Sequence, residues 1–140
     1  MKSLLEYLNR SSGKTLDYGP LVPHYNSEGK FDGVEISDAG FVVFAQSNHA
    51  SWKTAVGTAK KFFGGELPTR EEWKEIRKYM KNISQIFVQN GYKSIDVFKS
   101  YWTSDVKSRM ETYLFTPSEP DDEWYADRRM LHTAYAIKRF

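Results

Sequence analysis

The chain has 140 residues, 40% of them hydrophobic and 27% charged, a balance that suits one folded domain and is too apolar for a disordered polymer. It has no cysteine, which excludes disulfides, thiolate metal sites and thiol nucleophiles together. Its formal charge of +2 is spread along the chain, with Lys60–Lys61 and Arg128–Arg129 only as pairs, so the basic footprint of a nucleic-acid binder is missing and no nucleic-acid partner is expected.

Residues 1–140 read as one domain, with an irregular N-terminal wrap over 1–33 and a core over 34–140. Leu4, Leu5 and Leu8 have helical spacing, which predicts a short helix over 3–9. No run of about 18 apolar residues predicts a membrane span. The opening Met1–Arg10 stretch, broken by Glu6, does not read as a secretory signal, so the expected location is cytoplasmic or virion-associated. Residues 10–33 are dense in Gly, Pro, Ser and Asn and predict irregular structure.

Val34–Ile36 and Phe41–Ala45 flank a Gly-containing turn and predict a hairpin. Trp52, Ala55, Val56, Ala59 and Phe63 recur at helical steps after Ser51, a residue suited to capping, and Gly64–Gly65 stops that helix. Thr69 and Glu72 form a capping-box pattern, followed by an apolar stripe at Trp73, Ile76, Met80, Ile83 and Phe87 that predicts one helix ending at Asn90–Gly91. Ser100–Ser104, Thr112–Thr116 and Leu131–Phe140 predict strands, and Pro117–Glu123 an acidic loop between them. Helices gathered between groups of strands predict an α+β domain: two helices on short, mostly antiparallel strands with long loops.

Four of these landmarks together resemble a known family. Gly65-Glu-Leu-Pro-Thr-Arg-Glu-Glu-Trp73 resembles the Leu-Pro-Thr signature that opens the second helix in a bacterial and phage branch of C-type-lectin-like domains. That branch is similar to the formylglycine-generating-enzyme fold. Tyr101-Trp102-Thr103-Ser104 looks like the family's Tyr-Trp-Ser-Ser strand, Trp52 and Ala55 match a Trp-x-x-Ala on its first helix, and Tyr135–Arg139 sits where its last strand ends. The likeness spans about residues 41–140. It implies a C-type-lectin-like fold in which Trp73 and Trp102 pack on one another in the core.

The departures bear on function. Glu66 stands where the family usually carries Arg. Enzymes of this fold need metal-binding cysteines or a histidine cluster with a carboxylate, whereas this chain has only His24, His49 and His132. The Glu-Pro-Asn or Gln-Pro-Asp loop of the Ca²⁺-dependent lectins, with its Trp-Asn-Asp partner, is not intact. The resemblance therefore implies a non-catalytic binding module without cofactors, recognising a carbohydrate or protein ligand through loops between 105 and 130. A phage or prophage structural or receptor-binding protein is a natural setting. A structural virion or surface-assembly component, or an enzyme of the formylglycine-generating type, are the rival readings.

Trp124, Tyr125, Asp127 and Arg128 are the candidate ligand-binding residues, because two adjacent aromatics in this loop-like region cannot both face one core from a strand, and one should be exposed. Glu119, Asp121 and Asp122 are the candidate cation ligands, set against a solvated acidic loop. Ser104, His132 and Asp105 supply the atoms of a triad without the glycine elbow that would support one. Lys60, Lys61, Arg70, Arg77, Lys78 and Lys81 read as solvated helix faces.

Overall fold

The computed structural model describes residues 19–140; the helix expected over 3–9 lies outside them. Seven strands form one sheet: β1 (Leu21–Tyr25), β2 (Phe31–Ile36), β3 (Phe41–Ala50), β4 (Tyr101–Val106), β5 (Glu111–Phe115), β6 (Tyr125–Asp127) and β7 (His132–Arg139). Three helices connect β3 to β4: α1 (Trp52–Phe63), α2 (Arg70–Lys78) and α3 (Met80–Gln89). The strand order is β1-β2-β3-β7-β4-β5-β6. Two antiparallel units, β1–β3 and β4–β6, are thus joined by the last strand of the chain, which runs antiparallel to β3 and parallel to β4. The tail does return beside the early hairpin, and the class is α+β with a mostly antiparallel sheet.

The N-terminal wrap needs correcting. Leu21–Tyr25 and Phe31 onward form strands, paired from Leu21↔Ile36 to Tyr25↔Phe31. Pro23 fits there because β1 is an edge strand, where a missing N–H leaves no ladder bond unmade. The strand at Tyr125–Asp127, three residues long, stands where an irregular connection was expected.

The expected second helix is two. The capping box forms as read: Thr69 Oγ1 accepts the Glu72 N–H at 3.0 Å, and Glu72 Oε1 accepts the Thr69 N–H at 2.9 Å. The helix then breaks at Tyr79, whose φ of −114° and ψ of 12° leave the helical region. Its hydroxyl donates to Asp38 at 2.8 Å, tying the break to the turn between β2 and β3. The apolar stripe crosses the break intact, since Trp73, Ile76, Met80, Ile83 and Phe87 are all buried.

Each face of the sheet has its own core. On one, α2 and α3 cover Trp73, Ile76, Phe87, Tyr101, Phe115 and Tyr135. On the other, α1 lays Ala55 and Ala59 against Trp102, Leu114, Ala134 and Ala136. Trp73 and Trp102 are both fully buried, at 0% exposure, but their indoles do not pack on one another. Successive strand residues project to opposite faces, so Trp73 stacks on Tyr101 at 4.8 Å while Trp102 passes through to the α1 side. What links the two is a bond from Trp73 Nε1–H to the Trp102 carbonyl at 3.4 Å.

Glu66, the departure from the family pattern, meets its cation from another strand. Arg139 on β7 bonds Glu66 and also clasps both oxygens of Glu72, at 2.7 and 2.6 Å. Burial raises the Glu72 carboxyl, but the bonds from Arg139 and Thr69 outweigh it and hold the group below its ordinary range. Gly65 allows this approach: a Cβ there would lie 1.9 Å from the Ile137 carbonyl oxygen, where Glu66 and Ile137 exchange backbone bonds.

Candidate functional site

The four candidate residues fall on or beside β6 at the exposed edge of the sheet, Trp124 just before the strand and Arg128 just after it. In register, Tyr113↔Tyr125, Thr112↔Ala126 and Glu111↔Asp127 are paired. Tyr125 therefore stands beside Tyr113 on the α2 side, edge-on at 6.4 Å, with the Lys107 ammonium 4.2 Å over its ring. Trp124 donates its indole N–H to Glu119 Oε2 at 3.1 Å. Both aromatics are half exposed, Trp124 at 46% and Tyr125 at 49%, where only one was required to face out.

Asp127 and Arg128 line a groove of about 650 Å³ between this edge and the first turn of α1, walled by Trp52, Lys53, Arg109, Met110 and Arg129. Arg128 is held by neutral groups: Nε–H donates to Thr112 Oγ1 at 2.9 Å, Nη2–H to the Ser108 carbonyl at 2.6 Å, and the guanidinium lies 4.7 Å over the Trp52 ring. Trp52 is fixed in turn, its indole N–H donating to the Thr103 carbonyl at 2.8 Å and its backbone N–H to the Arg128 carbonyl at 3.0 Å. Asp127 pairs with Arg129 through bonds of 3.0 and 2.8 Å, which hold its carboxyl down at about 2. Sequence reasoning found Asp127 and Arg128 but missed Trp52, read only as core, and the pair Arg109 and Met110, which had no local signal.

The acidic loop does not gather its carboxylates. Glu119 accepts from Trp124, and the loop backbone is pinned by two helix arginines. Arg70 Nη2 donates to the Asp122 carbonyl at 2.8 Å, and Arg77 Nε to the Pro117 carbonyl at 2.8 Å. Among the described residues no three His, Asp or Glu side chains stand together as metal ligands, so Glu119, Asp121 and Asp122 form no such cluster. Arg70 and Arg77 are thereby loop anchors rather than solvated charges, because carbonyls exposed by an irregular segment need donors.

The atoms of the paper triad also go elsewhere. Asp105 Oδ2 accepts the Arg70 backbone N–H at 2.7 Å, at the start of α2. His132 lies edge-on to Trp102 at 5.0 Å, with Nε2 buried and unbonded. Burial first, and the neighbouring His49 second, lower its pKa. His24 pairs with Asp32 at 2.5 Å, in a second groove of about 390 Å³ near the far end of α1, beside Phe62 and Phe140. Among the described residues no helix is long and apolar enough to cross a membrane. Compared with known proteins, the chain matches no family model and no curated relative.

Proposed function

We propose that the chain is a non-catalytic binding module of C-type-lectin-like type, recognising a carbohydrate or protein surface through the β5–β6 edge. A phage or prophage structural or receptor-binding protein is the setting that best suits it. One observation carries the reading: Met110, Trp124, Tyr125, Met130 and Leu131, all large, apolar and exposed, lie on β6 or in the turns at the ends of β5 and β6, with exposed Val106 at the end of neighbouring β4. Apolar side chains gathered in one exposed region mark interaction surfaces, whereas scattered ones need no explanation. Aromatic, Met and Arg side chains are also the types enriched where proteins bind.

Three features support the lectin-like part. The Leu-Pro-Thr helix start and the Tyr-Trp-Thr-Ser strand meet, since Ser104 N–H donates to the Pro68 carbonyl at 2.9 Å. The helices lie between two groups of strands, and the last strand closes beside the first hairpin. The indole–indole packing that the resemblance implies is missing and counts against the lectin-like part. Replacing Trp124 and Tyr125 by Ala is expected to weaken binding on a glycan array or to target cells at least about tenfold. Unchanged binding would remove both residues from the site.

A second reading, an assembly component that meets copies of itself, is favoured by Phe62 and Phe140, 70% and 69% exposed beside one groove. Light scattering on the eluting protein separates the two: a ligand-binding monomer sinks the assembly reading.

A further inference from the structure

The groove at the first turn of α1 holds unbalanced positive charge. Lys53, Arg109, Arg128 and Arg129 line it against one carboxylate, Asp127. Asp127 is already bridged to Arg129, and among the described residues Lys53, Arg109 and Arg128 have no carboxylate within ion-pair distance.

Arg128 is the most telling of these groups. A carbonyl, a hydroxyl and an aromatic face fix its orientation, and none of them neutralises its charge. Among the described residues, the Nη1 end of the guanidinium has no bonded partner. A guanidinium already ordered by neutral groups loses little entropy on meeting an anion and keeps its full charge for it. Such a donor suits the two-oxygen fork of a carboxylate or sulfate. Beside it, Trp52 and Met110 give the groove an apolar wall, and its volume of about 650 Å³ lies in the range of small-ligand clefts.

We propose that this groove takes an anionic sugar unit of an acidic oligosaccharide, its carboxylate or sulfate directed at Arg128 and its C–H face on Trp52 and Met110. The inference deepens the binding-module reading and rests on it. An extended acidic peptide is the poorer occupant. It would be captured chiefly by adding a strand to the sheet edge, and β6 offers only Tyr125–Asp127 for pairing.

The test titrates the full chain, followed by tryptophan fluorescence and calorimetry, with four probes: trigalacturonic acid, a heparin-derived sulfated disaccharide, neutral maltotriose and a poly-glutamate peptide. The variant is Lys53→Gln with Arg109→Gln, which leaves every bond of Arg128 in place; matching thermal melts show that it folds. At least one acidic sugar is expected to bind about tenfold tighter than maltotriose, to weaken with added salt, and to lose about tenfold in the variant. The carboxylate and sulfate arms identify which anion is read. Equal binding of maltotriose, acidic-sugar binding unchanged in the variant, binding of poly-glutamate alone, or no acidic sugar bound would each overturn the proposal. If a neutral glycan or a protein binds and Trp124→Ala with Tyr125→Ala abolishes it, the edge remains a ligand surface and only the anion assignment fails.

Discussion

The two faces of the sheet are built on different principles. On the α2–α3 face, large rings fill the space: Trp73 stacks between Tyr101 at 4.8 Å and Phe115 at 5.8 Å, and Tyr135 closes edge-on at 6.1 Å. On the α1 face small side chains, Ala55 and Ala59 with Ala134 and Ala136, bring the helix close over β3 and β7, and the rings, Phe63 stacked on Phe44 at 4.7 Å and the buried Trp102, lie beside them. Among the described residues one helix covers this face, over its central strands, and a groove opens at each end of α1. One face closes the core; the other exposes surface that a ligand can use.

The largest expected effect tests whether the faces really differ in this way. Trp73→Ala removes a fully buried ring with stacked neighbours and is expected to cost about 3–5 kcal/mol in chemical denaturation. Trp52→Ala, on the groove wall of the opposite face, removes a partly exposed ring and one hydrogen bond and is expected to cost about 1–2 kcal/mol. Equal costs would mean that α1 is packed as firmly as α2, and the contrast would fail.

A smaller effect sharpens the account of the alanine face. Ala59 is buried with 1% exposure. Ala59→Leu forces α1 off the sheet and is expected to destabilise by about 1–3 kcal/mol. The same change at Gly57, which faces open space on this helix, should be neutral or stabilising, since leucine is the better helix former. A neutral Ala59→Leu would show that α1 does not approach closely and that the grooves need another cause.

Much of this arrangement was legible wherever the signal was local. The Thr69–Glu72 capping box, the glycine stop after Phe63 and the hairpin at Val34–Ala45 follow from residues a few positions apart, and each formed. The break at Tyr79 was not legible, because the apolar stripe continues through it and the turn is set by Asp38, 41 residues away in the chain. Nor could the sequence say which of Tyr101 and Trp102 would meet Trp73. Adjacent strand residues take opposite faces, and register alone decides between them. The candidate site was half legible because Trp124, Tyr125, Asp127 and Arg128 lie together on one short segment at and around β6. Arg109, Met110 and Trp52 join the groove only through the tertiary pairing of β5 with β6 and the docking of α1.

The smallest effect concerns His132, a histidine packed into the α1-face core against Trp102. His132 lies against Trp102 with Nε2 buried and without a partner, and burial together with His49 holds its pKa below the ordinary value of 6.5. Charging the ring would place a second N–H donor where no acceptor waits. The unfolded chain therefore binds the proton more readily than the folded one, so stability rises with pH across this window. It is fully present above the ordinary histidine range and is lost as pH falls toward the depressed folded value. Melting temperatures compared at pH 7.5 and pH 5 should fall less on acidification in His132→Gln than in the wild type, because glutamine stays neutral. An identical acid slope in the two proteins would mean that the ring is solvated in the folded state and that the α1 face is open even beneath its helix.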